Sequence, residues 1–277
     1  MPRVLLIDPD RTLQRMLAVA PGLDDIELEA ATGEADALSR LRRRAYAVVV
    51  SNPSTTVTHD LALVHEIRHA RPGVRVILLA PQTTPEEVIA ALRQRVFACF
   101  SGSQEIAGLA DMVRKAVDAE EWRDGIEVVS AQRDWVSLRV ACRLLTAERL
   151  VHYLGELRSD LPAEEREELL TGFREVLLNA MEHGAAFDPD QVVEVAAVRT
   201  ARAVVFYVRD PGPGFGPDAL AHAAVANPPG NPVAHIEQRE KMGLRPGGFG
   251  LLIARQVVDE MIHSERGNEV LMIKHTR

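Results

Sequence analysis

The chain has 277 residues, 47% of them hydrophobic and 26% charged, with a formal net charge of −8. That length allows one large or two ordinary domains, each with a real core, and the balance is ordinary for a soluble globular protein. The acidic background carries no Lys/Arg block, which argues against an electrostatic nucleic-acid binder. No apolar run approaches the length of a membrane span, and the opening "MPRVLLID" is too short for a signal-peptide core, so a cytoplasmic location is expected.

From Met1 to about Glu121 short apolar runs alternate with helical periodicity. "RVLLID" (3–8), "LEAAT" near 27–31, "AYAVVVS" (45–51), "VRVILLA" (74–80) and "VFACF" (96–100) predict strands, and the continuous runs suit parallel strands buried on both faces. Between them, 11–20, 33–44, 59–70 and 84–95 carry a 3.6-residue period, and 103–122 closes the series. The alternation predicts an α/β fold, a doubly wound (βα)5 sheet with helices on both faces.

The second half, 122–277, reads differently. Strands are predicted at "IEVVS", 135–144, 192–200, 203–210 and 268–276, and helices at 146–160, 164–184 and 251–261. A Pro/Gly-rich loop spans 211–248. Helices grouped with an antiparallel meander predict an α/β sandwich, one sheet covered by one helix layer. The cysteines, Cys99 and Cys142, stand far apart without CxxC company and read as reduced, buried thiols.

Within 164–184, Glu175, Asn179, Glu182 and His183 fall at i, i+4, i+7 and i+8, a polar stripe on an otherwise greasy helix. Asn is a mediocre helix former because its amide competes with the backbone for hydrogen bonds, so its place there asks for a reason. His152 lies on a helix with no room nearby for a two-helix phosphoacceptor hairpin, and is read as a surface or core residue. Trp122 and Trp135 are expected to pack where the halves join. The acidic run "PAEEREE" (162–168) reads as a first helical turn favoured by the macrodipole.

In pattern and spacing, residues 1–121 resemble a response-regulator receiver whose reactive site has degenerated. Asp8 survives from the metal-binding acidic pair, while Pro9 takes the second position and Asp10 is a partial replacement. Asn52, in "VVVSNP", stands where the phosphoacceptor Asp belongs, and "HEIR" (65–68) downstream supports that register. Ala80 replaces the hydroxyl residue and Gly102 the Lys. An amide cannot do a carboxylate's nucleophilic work on a phosphoryl donor. A pseudo-receiver serving regulation, protein contacts or homodimerisation is expected.

Three segments of the second half resemble the boxes of the histidine-kinase-like ATPases, whose ATP site is a Bergerat-type sandwich. They are "EVLLNAMEHG" as the N box, "DPGPGFG" (210–216) as the D-x-G-x-G box, and "RPGGFGLLIARQVVDEM" (245–261) as a Gly-rich turn opening a helix. One alone is weak; all three in order make the signal. The wording of the third box with the following "GNEV" is most similar to the anti-sigma-factor serine/threonine kinases.

The resemblance implies ATP and Mg²⁺ as cofactors. Asn179 would ligate Mg²⁺, for which a neutral hard oxygen is suited. Glu175, one turn earlier and about 40° around the axis, would act as general base. Asp210 would accept from the adenine amino group, and Gly212 and Gly214 would let the backbone approach the base. Gly247, Gly248 and Gly250 would offer phosphate their backbone amides at a helix start. His183 is either a nucleotide contact or a residue that meets the last carbonyls before Gly184; Glu182 is equally open. The loop from Pro217 to Arg245 would be the ATP lid. On this reading the protein is a serine/threonine kinase acting on a regulatory partner, anti-anti-sigma-like or sigma-factor-like. The alternative is a partner-switching scaffold that binds ATP without turnover. No nucleic-acid or membrane partner is expected.

Overall fold

In the computed structural model, residues 1–52, 54–102, 105–119, 124–157, 161–214 and 250–276 are described. They form two compact units, Met1–Asp124 and Gly125–Arg277. No helix among them is long and apolar enough to cross a membrane.

In the first unit the strands are β1 (Arg3–Ile7), β2 (Glu27–Ala31), β3 (Val48–Val50), β4 (Arg75–Ala80) and β5 (Ala98–Ser101). All pair in parallel in the order β2-β1-β3-β4-β5. This is the flavodoxin-like doubly wound order, whose switch point lies between β1 and β3. The apolar runs are what such a sheet needs: Val4, Leu5, Leu6, Val48, Val49, Val50 and Ile77 are completely buried. Five helices return the chain: α1 (Thr12–Leu17), α2 (Glu34–Arg43), α3 (Val57–Ala70), α4 (Pro85–Arg93) and α5 (Ile106–Asp118). "TPEE" starts α4 with a full capping box between Thr84 and Glu87 and with Pro85 in the first turn.

The second unit is a six-stranded antiparallel sheet covered on one face by helices. Its strands are β6 (Ile126–Gln132), β7 (Trp135–Ala141), β8 (Val192–Arg199), β9 (Ala203–Arg209), β10 (Glu260–His263) and β11 (Glu269–His275). Their order is β10-β11-β9-β8-β7-β6. The helices are α6 (Leu144–Glu156), α7 (Ala163–Asn179) and α8 (Gly250–Val257), and a π-helical turn, Ala180–Gly184, continues α7.

Alternation decides which sheet face is covered. Val136, Leu138, Val140, Val193, Val195, Phe206, Val208 and Met272 are buried on the face that the helices cover, as are Phe173 and Leu177 of α7. The Phe173 and Phe206 rings meet at 4.6 Å between centroids, tilted by 41°. Burying side chains of this size stabilises the fold by roughly 1.5–3 kcal/mol each. On the opposite face, Glu127, Arg139, Glu194, Arg209 and Glu269 occupy facing positions on five successive strands. Charge alternates along that row, which keeps the face in water. Each exposed pair adds only about 0.2–1 kcal/mol, so the row helps set register more than stability.

Three sequence expectations meet a different structure. The helix expected over 251–261 stops at Val257, and Glu260 and Met261 begin the edge strand β10, paired with Ile273 and Met272. Four residues of strand are too few for their periodicity to show against a helical run. The helix expected over 164–184 is α-helical only to Asn179. Trp135 opens β7 and is 36% exposed rather than packed away, while Trp122 lies outside the described residues. Both cysteines are buried, and burial pushes the Cys142 thiol up to about 11, so it stays protonated and unreactive.

Candidate functional site

The polar stripe of α7 is the face against which α8 is laid. At Gly172 an added Cβ would sit 2.5 Å from Val257 Cγ2 and 3.1 Å from the Ala254 Cα, so the two helices touch almost backbone to backbone. Further along the same α7 face, a Cβ at Gly250 would sit 2.6 Å from Glu175 Oε2 and 3.5 Å from Asn179 Nδ2. Positions 172, 175 and 179 are i, i+3 and i+7, a single helical stripe. Glu175 and Asn179 are therefore half-buried under the start of α8, where an α-helix leaves amides without partners. Gly247 and Gly248, the other glycines of that box, lie outside the described residues, as does the stretch expected to form the lid.

Glu175 has a cation beside it. Arg174 Nη1 donates to Glu175 Oε1 at 3.3 Å, and Arg174 also stands 3.6 Å from Glu148 of α6. After Asn179 the helix widens into its π turn, a feature often found at functional positions. The turn delivers Gly184 onto Asp210, the residue that follows β9. A Cβ at Gly184 would lie 2.3 Å from Asp210 Oδ1 and a Cβ at Gly212 would lie 2.8 Å from it. Glycine is needed at both positions for this contact to exist.

Asp210 is fastened from the other side. Its amide donates to the Asn268 carbonyl at 3.0 Å, and Asn268 Nδ2 donates to the Asp210 carbonyl at 3.2 Å. The Gly212 amide donates to Asp210 Oδ1 at 2.8 Å. Burial raises the Asp210 carboxyl above its ordinary range; the Gly212 bond and the charges of Arg266 and His183 oppose that shift. His183 is exposed yet close enough for its charge to be felt at Asp210, while Glu182 is half-buried. Gly214 sits at φ +81°, with Arg266 donating to the Pro213 carbonyl at 3.1 Å. Sequence reasoning missed Gly172, Gly184 and Asn268 as parts of this architecture. Gly184 and Asn268 stand inside quoted motifs, but a glycine's spacing does not say which backbone it admits.

The receiver-like positions gather at the carboxyl ends of their strands. Asp8 is buried after β1 and accepts the Gln14 amide at 2.7 Å; Asp10 accepts the Thr12 amide at 3.0 Å. Asn52 Oδ1 accepts the Ser54 amide at 2.8 Å in a turn. Ala80 ends β4 as a buried methyl. Gly102 follows β5 at φ +75° and donates its amide to the Ala80 carbonyl at 3.0 Å. His152 is half-buried on α6, edge-on to Tyr153 with ring centroids 6.2 Å apart.

Residues 140–274 match the family model of the histidine kinase-like ATPase domain. No protein of curated function matches the chain. Solved structures similar to it include a Thermotoga maritima response regulator, 21% identical with TM-score 0.38, covering 42% of this chain and 98% of its own. A Francisella response-regulator receiver domain is 19% identical with TM-score 0.39, covering 44% and 100%. An orphan response regulator of Helicobacter pylori is 18% identical with TM-score 0.37, covering 42% and 96%. The strand order, not these distant likenesses, defines the flavodoxin-like doubly wound fold of the first unit. The chain thus joins a parallel doubly wound α/β unit to an antiparallel α/β unit that matches the histidine kinase-like ATPase domain model.

Proposed function

We propose that the second unit binds Mg·ATP and transfers its terminal phosphoryl group to a serine or threonine of a regulatory partner protein, under the influence of the receiver-like unit. A small anti-anti-sigma-like or sigma-factor-like protein is the partner chemistry the motif wording supports. The observation that carries the reading is the convergence of Glu175 and Asn179 on the bare backbone of Gly250, with Asp210 held in a glycine cradle beyond the π turn.

The residues fit the nucleotide. The positions without Cβ at Gly184, Gly212 and Gly250 let the Asp210 and Glu175 carboxyls pack directly on backbone, and Asn179 offers an amide oxygen of the hard type magnesium prefers. Bound Mg·ATP would supply the phosphoryl group and the positive charge that stabilises its transfer. Asp210 would accept a hydrogen bond from the adenine amino group and so reject guanine. Gly212 and Gly214 would admit the base, and the backbone amides of Gly247, Gly248 and Gly250 would serve phosphate oxygens. Glu175 would take the proton of the acceptor hydroxyl.

A second reading, an ATP-switched scaffold without turnover, draws on the Arg174–Glu175 ion pair, which holds the candidate base in a structural contact. Glu175→Gln separates the two. As a kinase, the variant is expected to bind Mg·ATP within a few-fold of wild type while transfer to its acceptor falls about 10²–10⁴-fold. A scaffold gives no transfer in either form, with partner binding still switched by ATP. Wild-type transfer left intact in Glu175→Gln would place the base elsewhere.

A further inference from the structure

The first unit carries a ligand cluster that the degenerate phosphorylation site does not use. Glu34 opens α2, and His59 and Asp60 lie in the first turn of α3. A ring nitrogen of His59 and one oxygen from each carboxyl all lie within 4.8 Å of one another. Glu34 Oε1 stands 2.6 Å from His59 Nε2. Asp60 forms the floor of the cluster and is only 1% exposed, yet its Oδ2 has no hydrogen-bond partner among the described residues.

Those facts leave a chemical problem. A buried carboxylate oxygen without a donor is costly, and a second carboxylate facing it adds repulsion. Burial raises the Asp60 carboxyl and the Glu34 charge adds to it, with the Ser51 and Thr55 hydroxyls opposing; the His59 imidazole serves Glu34, and Oδ2 keeps no hydrogen-bond partner among the described residues. The group that answers both the unpartnered oxygen and the repulsion is a cation held by all three side chains.

We infer that Glu34, His59 and Asp60 form a binding site for one divalent cation of the zinc class. The donor set chooses the ion. An imidazole with two carboxylates suits zinc, with water completing the coordination, whereas Mg²⁺ favours an oxygen octahedron and rarely takes imidazole. The three ligands come from the starts of two helices, so the ion ties α2 to α3. Through Asp60 it also reaches Ser51 and Thr55, on either side of Asn52. A receiver-like unit whose acceptor carboxylate is replaced would thus have its β3–α3 connection held by a metal ion.

The test is Zn²⁺ binding to the full chain, stripped with EDTA, dialysed and free of nucleotide, measured by competition with a chromophoric chelator. His59 is exposed, so His59→Ala should leave the fold unchanged by circular dichroism. Wild type is expected to bind one equivalent more than His59→Ala. That equivalent should weaken at least about tenfold in Glu34→Gln and should resist millimolar Mg²⁺. The difference between the proteins cancels zinc taken up by histidines elsewhere. Equal stoichiometry and affinity in wild type and His59→Ala, no zinc bound by wild type, or ready displacement by Mg²⁺ would each overturn the assignment.

Discussion

Two asparagines, one in each unit, show how differently the halves of this chain use the same side chain. Asn52 follows a strand, and its amide oxygen closes a turn on Ser54. Asn179 ends an α-helix, where no such turn is open to it, and its side chain faces the bare backbone of Gly250. In the first unit a buried methyl, a glycine and a turn-forming amide stand at the carboxyl ends of β4, β5 and β3. In the second, glycines let the backbone close on polar groups instead. An amide's role is set by the backbone that presents it.

Perturbing the second unit should have the largest effect. Gly184→Ala places a methyl within 2.3 Å of the Asp210 carboxyl, so the carboxyl or the π turn must move. Overpacking of this kind costs about 1–3 kcal/mol of stability. Displacing the recognition group should lower phosphoryl transfer by about 100-fold or more. Thermal unfolding with a transfer assay checks both, and wild-type behaviour would mean that the contact between turn and aspartate is dispensable.

Asp210→Asn tests adenine reading itself. Losing a hydrogen bond to a charged acceptor is worth about 1.5–3 kcal/mol, so ATP affinity should drop roughly 10–150-fold. Preference over GTP should shrink with it, and titration calorimetry with both nucleotides measures the pair. Equal binding of ATP and GTP by the wild type would remove Asp210 from this role. EDTA should weaken ATP binding in the wild type and much less in Asn179→Ala.

A smaller effect follows from the raised Asp210 pKa. Because the folded value lies above the ordinary 3.8, the protonated acid is the form that the fold stabilises. The contribution is complete below about pH 3.8 and is lost as pH rises through the folded value. The melting temperature of wild type relative to Asp210→Asn should therefore be highest in acid and decline toward neutrality. A difference independent of pH would show that the carboxyl titrates as in water.

The first unit should give the smallest response. Asn52, Ala80 and Gly102 offer no carboxylate, hydroxyl or ammonium group at these strand ends, so acetyl phosphate or beryllofluoride should leave the amide resonances of residues 1–121 unchanged. A localised shift there would break the contrast between the units.

Much of this organisation was legible in the sequence. Uninterrupted apolar runs such as "VRVILLA" announced strands buried on both faces, because only a parallel sheet with helices on each side has no wet face for them. The spacing of Glu175 and Asn179 announced a shared helical face, since 3.6 residues per turn is a local property of the backbone. What stayed hidden depended on approach between distant segments. The α-helical wheel continued past Asn179 through His183, but the chain there takes a π turn, and whether it brings Gly184 against Asp210 is a matter of contact rather than periodicity. The strand at Glu260–His263 was masked by a helical pattern because its pairing with β11 lies several residues downstream. Glu34 and the pair His59–Asp60 sit on separate helices, and no spacing rule joins them. Sequence by itself determined the two classes of unit and the types of residue at their sites, because hydrophobic period and side-chain chemistry are local. The tertiary structure alone decided which of those residues meet, because close packing lets a missing Cβ on one element bring in the side chain of another.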